Sequence, residues 1–265
     1  MWRKAYGIEW TIEYNSLCIK ATNSGRTYVL PPFGPDRACE QVLGLMLDYF
    51  GQQGLPFYMR AVPRRFVNVI EECMPGRFMF KEQRDSFDYV YNVQDLCTLK
   101  GRKYSRKRNH IQNFKQAHCD YMYMPLTEAL VQDCIDNELE WCEKRNCDEV
   151  LDLRCEKFAI IEALLKFSYL ELSGGVIMIG GKVEAFTFGE ALNEDTAVIH
   201  VEKGNPDING IYAVINQEYC VNNWESMQYI NREEDMGIEG LRKAKESYYP
   251  VTLIEKYDVA VKARE

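Results

Sequence analysis

The chain has 265 residues, enough for one large domain or two smaller halves, and its 46% hydrophobic and 27% charged content is that of a globular protein rather than a disordered one. Its 40 acidic residues outnumber its 32 basic ones, for a net charge of −8, which excludes a general coat for nucleic acid and leaves room only for a local basic patch.

From Tyr6 to Val29 β-branched and aromatic residues dominate, and the break at Asn23-Ser24-Gly25 predicts a hairpin, which Pro31-Pro32-Phe33-Gly34-Pro35 ends. Asp36 is placed to cap a helix from about Ala38 to Gln52, where Val42, Leu43, Met46, Leu47 and Phe50 recur at helical spacing before Gly54 stops it. A short strand is expected at 57–62, a helix from Arg64 to Cys73 ended by Pro75-Gly76, and strands at 78–80 and 89–91.

A basic helix follows over residues 101–118. Lys100, Arg102, Lys103, Arg106, Lys107 and Arg108 crowd its start, while Tyr104, Ile111 and Phe114 fall on one side. Residues 121–124 read as a strand. Thr127 is placed to cap a long helix to about Arg145, with Leu126 and Val131 as a hydrophobic staple and Val131, Cys134, Ile135, Leu139 and Cys142 as its apolar stripe. Phe158, Ile161, Leu164, Leu165 and Phe167 mark the next helix. Strands at 176–179 and 183–192, joined by Gly180-Gly181, and a third at 197–202 form an antiparallel meander. A helix at 211–220, a strand at 227–231, a helix at 238–248 and a closing strand at 252–259 complete the chain.

The opening Met1-Trp2-Arg3-Lys4-Ala5-Tyr6 leads into a mixed polar stretch without the apolar core of a secretory signal, so a cytoplasmic location is expected. The most apolar run, Gly175 to Gly180, has the length of a strand rather than of a membrane span. Ten cysteines are scattered with no CxxC pair and are expected as reduced, mostly buried thiols. His110, His118 and His200 do not pair with them at ligand spacing, so no metal is expected.

Helix, helix, β-meander, helix, strand, helix, strand is the element order of a GNAT acyltransferase core, and residues 1–100 repeat it loosely. Two segments carry a closer likeness. Gly237, Ile238, Leu241 and Lys243-Ala244-Lys245 follow the rhythm G-L-x-x-F-K-x-x-F, with departures at the aromatic positions, and Lys103-Tyr104-Ser105-Arg106-Lys107-Arg108-Asn109-His110-Ile111 is similar to a K-x-R-x-N-I-R-K-A element. On these segments the chain resembles the soluble branch of the C-terminal domain family of the bacterial phosphatidylglycerol lysyltransferases, which is related to the Fem aminoacyl transferases. The resemblance implies an α+β, tandem GNAT-like (acyl-CoA N-acyltransferase) fold, with mixed central sheets flanked by helices. An N-terminal half is expected at 1–100 and a C-terminal half, opening with the basic helix, at 101–265.

The same resemblance implies transfer of an aminoacyl or acyl group, arriving on tRNA or as acyl-CoA, to an amine or hydroxyl of a small-molecule, peptide or lipid-headgroup acceptor. Direct attack needs positioning, a base and an oxyanion donor rather than a covalent nucleophile. Glu190 and Glu202 on the meander, His200 beside them and Asp235 are the candidate bases. Asn231-Arg232-Glu233-Glu234-Asp235 is the densest polar cluster after a buried strand, where open α/β sheets place ligand contacts, or else a charged surface loop. There Arg232 and Asp235 are placed to clamp an amino-acid-like group, with Tyr229, Asn231 and Lys243 as further substrate contacts.

The loop Lys203-Gly204-Asn205 to Asn209-Gly210 stands where a GNAT fold holds an anionic acyl carrier on helix N-terminal amides, although the R-x-x-G-x-G/A signature of acyl-CoA users is absent; a plain strand-ending loop fits the same residues. Lys103, Arg106, Lys107 and Arg108 form either an electrostatic seat for tRNA or another polyphosphate or a solvated helix face. A non-catalytic ligand- or RNA-binding protein on the same fold is the alternative to an enzyme.

Overall fold

The computed structural model describes residues 1–23, 25–146 and 151–262. The strands are β1 (Glu9–Glu13), β2 (Ser16–Asn23), β3 (Arg26–Val29), β4 (Tyr58–Pro63), β5 (Phe78–Glu82), β6 (Asp88–Asn92), β7 (Met122–Pro125), β8 (Ser173–Ile179), β9 (Lys182–Ala191), β10 (Thr196–Gly204), β11 (Tyr229–Asn231), β12 (Thr252–Ile254) and β13 (Lys256–Val261). The helices are α1 (Cys39–Gln52), α2 (Arg64–Cys73), α3 (Val93–Thr98), α4 (Ser105–Ala117), α5 (Val131–Arg145), α6 (Leu151–Leu164), α7 (Ile211–Asn223) and α8 (Glu239–Glu246). They gather into two compact units, and no helix among the described residues is long and apolar enough to cross a membrane.

One unit comprises residues 2–88, 234–239 and the segment from Ile254 onward, on a six-stranded sheet of order β1-β2-β3-β4-β13-β5. Val42, Leu43 and Phe50 of α1 and Val67 and Ile70 of α2 cover Met59, Val62, Phe78 and Val259 of that sheet. The start of the chain makes three strands where one hairpin was expected. Tyr14 and Asn15 both take positive φ, 49° and 57°, and join β1 to β2 with Glu13 opposite Ser16. That is the backbone of a two-residue hairpin turn, which usually declares itself with glycine or asparagine at the first position, and a tyrosine there hides it. The expected break at Asn23-Ser24-Gly25 separates β2 from β3, with Asn23 opposite Arg26; Ser24 lies outside the described residues.

The other unit comprises residues 89–233 and 240–253 with Met1, on a seven-stranded sheet of order β12-β6-β11-β10-β9-β8-β7. Tyr89, Tyr91, Leu96, Phe114, Val214 and Tyr219 pack on one face, and Cys134, Ile160, Phe167, Phe186 and Phe188 on the other. Gly180 and Gly181, at φ 57° and 82°, join β8 to β9 as expected.

These units do not follow the expected halves at 1–100 and 101–265, for two topological reasons. Strand β6 pairs antiparallel with β11, and α3 buries Leu96 in the same core, so residues 89–100 belong with the later part of the chain. The closing strand expected at 252–259 is two strands, because Glu255 interrupts it: its carbonyl accepts from the Arg64 amide at 3.2 Å, and β13 then pairs with β4 and β5. The two expected helix caps are also not made. Asp36 lies in a 3-10 turn and pairs with Arg65 at 2.6 Å, and Thr127 precedes a 3-10 turn without capping it.

Strand β10 carries a bulge between Ile199 and Val201. Ala197 and Ile199 face one core and Val201 the other, which strict alternation forbids. The bulge therefore moves Glu202 to the face of Ala197 and Ile199, where α7 packs.

Gly210, the N-cap of α7, has φ +86°, and a β-carbon there would lie 2.6 Å from the carbonyl oxygen of His110 in α4. Gly210→Ala is expected to destabilise the protein by about 2 kcal/mol through backbone strain and this clash, as read from thermal or urea unfolding. Gly240→Ala, inside α8 with open space around it, is the control and is expected to stabilise by about 0.5–1 kcal/mol.

Candidate functional site

Strands β10 and β11 run parallel only over Thr196–Val198 and Tyr229–Asn231. Beyond that point β11 ends while β10 continues to Gly204, so the two part and leave a crevice. Glu202 from β10 and Arg232 from the end of β11 meet across it: Arg232 Nη2 donates to Glu202 Oε1 at 3.0 Å and Oε2 at 3.2 Å. Asn216 of α7 donates to Glu202 Oε2 at 3.1 Å. The guanidinium carbon lies 5.0 Å from the Tyr248 ring centre and 5.7 Å from that of Tyr91. Burial alone would lower the Arg232 pKa; Glu202, Tyr91 and Tyr248 more than offset this and hold it raised, so the group is a permanent cation.

Two polar atoms here have no protein partner although they are buried, Arg232 Nη1 and Asn216 Oδ1. Buried donors and acceptors are nearly always paired, so two unpaired polar atoms beside one ion pair set this place apart from the rest of the core.

Lys107 of α4 completes the group. Its Nζ sits 3.8 Å from the Tyr248 ring centre. Burial, then the positive charge of Arg232, lower its pKa to about 8 against the opposing pull of Glu202. A lysine with that pKa is part neutral near pH 8 and can take up a proton, which an ordinary surface lysine cannot. Lys107 also lines, with Lys103, Arg106, His110, Ser247 and Tyr249, a cavity of about 250 Å³. Arg108 is elsewhere: its guanidinium donates to the carbonyls of Leu99 and Gly101 and fixes the end of α3. Lys103 pairs with Asp95 at 3.4 Å.

His200, the bulge residue, lies between two carboxylates, with Nδ1 2.8 Å from Glu233 and Nε2 2.9 Å from Glu190. Burial lowers its pKa, but Glu233 and Glu190 outweigh burial and raise it. Both nitrogens must carry protons to satisfy both carboxylates, so the ring is suited to ordering Glu233 rather than to accepting a proton. Lys245 of α8 orders the same turn from the other side, donating to the carbonyls of Arg232 at 2.5 Å and Glu233 at 3.1 Å.

The remaining expected residues are placed as follows. Asn231 is buried and accepts from the Glu233 amide at 2.7 Å, turning the chain as β11 ends. Tyr229 accepts from Gln228 at 2.9 Å, and Lys243 is exposed on α8. Asp235 belongs to the other unit, where it is fully buried, pairs with Arg84 at 3.3 Å and accepts from the Gly237 amide. Of the two residues expected to clamp an amino-acid-like group, Asp235 is thus engaged with Arg84 in one unit and Arg232 with Glu202 in the other.

In the loop before α7, Lys203 is buried over the Trp141 ring at 3.7 Å, with Glu156 at 2.8 Å and Glu138 at 3.9 Å. Burial raises the Glu138 carboxyl to about 7, against the opposing charge of Lys203. Asn205 donates to Glu184 and accepts from Lys144, which also pairs with Asp207, and the Gly204 carbonyl accepts from Tyr212. Asn209 is exposed and Gly210 caps the helix. Lys203 and Asn205 are therefore engaged within the chain, among four acids. Tyr91, Asn216 and Tyr248 were not singled out by their residue types.

Residues 1–260 match the family model described as phosphatidylglycerol lysyltransferase, C-terminal. A conserved protein of unknown function from Bacteroides thetaiotaomicron is 41% identical, with a TM-score of 0.92 over 98% of this chain and 88% of its own. The C-terminal domain of a putative lysylphosphatidylglycerol synthetase from Agrobacterium fabrum shares the fold at TM-score 0.71 and 11% identity, over 98% of this chain and 85% of that one. A tandem GNAT protein from the clavulanic acid biosynthesis pathway shares it at TM-score 0.52 and 6% identity, over 94% and 80%. No curated protein sequence matches. The fold is of the tandem GNAT type, mixed sheets flanked by helices, as the sequence resemblance implied.

A raised histidine pKa stabilises the fold fully below the unfolded value near 6.5 and ceases to do so as pH rises through the folded value. His200→Gln, which keeps a donor and loses the charge, is expected to be about 1–2 kcal/mol less stable than the wild type at pH 5.5. The gap should close toward pH 8.5 in paired urea titrations.

Proposed function

The chain belongs to the phosphatidylglycerol lysyltransferase C-terminal family, and from that premise we propose that its β10–β11 crevice transfers an aminoacyl group from tRNA to an amine or hydroxyl acceptor. The observation that carries this reading is the unpartnered Nη1 of Arg232 beside a lysine of pKa about 8. Neutral Lys107 takes the proton of the acceptor as its nitrogen or oxygen attacks the ester carbonyl. Arg232 Nη1 donates to the oxyanion that develops, held in place by Glu202 and Asn216. As the tetrahedral species collapses, the bond to the carrier oxygen breaks and the Lys107 ammonium returns the proton to it. His200 and Lys245 act through position, fixing the Glu233 turn that follows Arg232.

Two observations favour tRNA over coenzyme A as the carrier. The cavity beside Lys107 is lined by Lys103 and Arg106, cations suited to a phosphodiester chain, together with His110. The loop before α7 turns its lysine inward onto Glu138 and Glu156, while Glu184 bonds Asn205 and Asp207 pairs with Lys144, a poor setting for a pyrophosphate. The glycine-capped N-terminus of α7 is the feature that speaks for an acyl-CoA instead.

Thermal unfolding with aminoacylated tRNA and with acetyl-CoA or longer acyl-CoAs separates the two carriers, since a ligand of the native state raises Tm. A shift with tRNA that fades steeply as salt rises from 50 to 200 mM is expected; a shift with thioesters alone would overturn the tRNA reading. In a transfer assay, Lys107→Met is expected to lower kcat by about 10²–10⁴-fold and to remove a pH limb rising through about 8. Arg232→Lys, which retains charge and loses the open donor, is expected to lower kcat by about 10²–10³-fold.

A further inference from the structure

The unit on the six-stranded sheet contains a pair of sulfurs that none of the chemistry above uses. Cys39 opens α1 and Cys73 closes α2, and these two helices pack side by side on the sheet. Their Sγ atoms are 2.9 Å apart. Non-bonded carbon atoms keep roughly 3.5–4.0 Å, and sulfur is the larger atom, so the two thiols are already inside ordinary contact. A disulfide bond is about 2.0 Å long, so forming one asks the sulfurs to close by about 0.9 Å. Neither thiol is held elsewhere by a strong bond: Cys73 Sγ has only a 3.6 Å contact to the Ile70 carbonyl. The exposures are unequal, Cys39 being buried and Cys73 half-buried, so a reagent reaches the pair through Cys73.

We propose that Cys39 and Cys73 are a reversible disulfide site, oxidised by a low-molecular-weight disulfide, that clamps the start of α1 to the end of α2. In the first step the Cys73 thiolate attacks one sulfur of the oxidant, forming a mixed disulfide and releasing one small thiolate. In the second, Cys39 gives up its proton to that thiolate and attacks the Cys73 sulfur, so that the bond to the second small thiol breaks. Two protein thiols are oxidised and one small disulfide is reduced to two thiols, which carry the two protons. Burial first, then Cys73, Asp36 and Glu40, push the Cys39 thiol up, so the second step is the slow one. The bond closes a loop between residues 39 and 73, constrains the unfolded chain, and leaves the group-transfer crevice untouched, since every crevice residue named above lies in the other unit.

The full chain, with exposed Cys119 replaced by serine to remove a competing adduct, would be incubated with oxidised glutathione at pH 8 and analysed by intact mass and non-reducing peptide mapping. A loss of two hydrogen masses mapped to a 39–73 cross-link, reversed by dithiothreitol, is the expected result. Tm should rise by roughly 5–10 °C on oxidation. Cys39→Ser should trap a glutathione adduct on Cys73, and Cys73→Ser should abolish the cross-link; because Cys73 is half-buried, that variant remains informative if Cys39→Ser fails to fold. A stable adduct on Cys73 in the otherwise unaltered chain, or a cross-link mapped to another pair, would overturn the proposal.

Discussion

The arrangement of the unit on the seven-stranded sheet turns on one ion pair, Arg232 with Glu202, held where two parallel strands separate. The Arg232 side chain is only 10% exposed and that of Glu202 13%. Taking two such charges out of water costs several kcal/mol, which their attraction and their hydrogen bonds must offset. Here the offset is incomplete by one atom on each side of the network, Arg232 Nη1 and Asn216 Oδ1, and the neighbouring lysine has its ammonium form weakened by the same burial. A core optimised for stability alone would fill this space with apolar side chains. Charge kept in place with a donor unspent is what a site for a developing oxyanion requires, because no reorganisation remains to be done when the charge appears.

The pair exists because of a single inserted residue. Without the bulge at His200, alternation would carry Glu202 to the face of Phe186 and Phe188, away from Asn216. The bulge therefore does two things at once. It sends Glu202 into the crevice, and it frees His200 to bridge Glu190 and Glu233 beside it. With Lys245 gripping the carbonyls on either side of the same turn, the backbone that carries Arg232 is fixed from two elements.

Much of the fold was legible from local pattern. The apolar stripe of α1, the Gly180-Gly181 hairpin and the full extent of α2 are periodicity and turn chemistry, which act within a few residues, whereas the stripe expected on α5 holds at Cys134, Ile135 and Cys142 but leaves Leu139 exposed and buries Asn137 and Glu138 beside it. The family likeness rested on the C-terminal run and on the basic helix, and the family model spans both. What local pattern does not contain is pairing at a distance. The bulge is a count of residues on one strand against another, and the interruption at Glu255 is set by partners near residues 64 and 83. Lys107 read as one cation among several because its distinguishing neighbour, Tyr248, is far along the chain. The carboxylates Glu190, Glu202 and Asp235 looked interchangeable as residue types, and only their partners, His200, Arg232 and Arg84, tell them apart.

The position of β13 has a consequence for how the protein is made. It is the strand between β4 and β5, so the sheet whose other strands all precede residue 83 lacks an interior member until residues 256–261 emerge from the ribosome. The seven-stranded sheet ends with β12 at Ile254 and needs no later strand, so it can complete itself earlier. Vectorial synthesis thus inverts the order of assembly, with the part translated first the last to close, and until then the edges of β4 and β5 stand open to solvent and to chaperones.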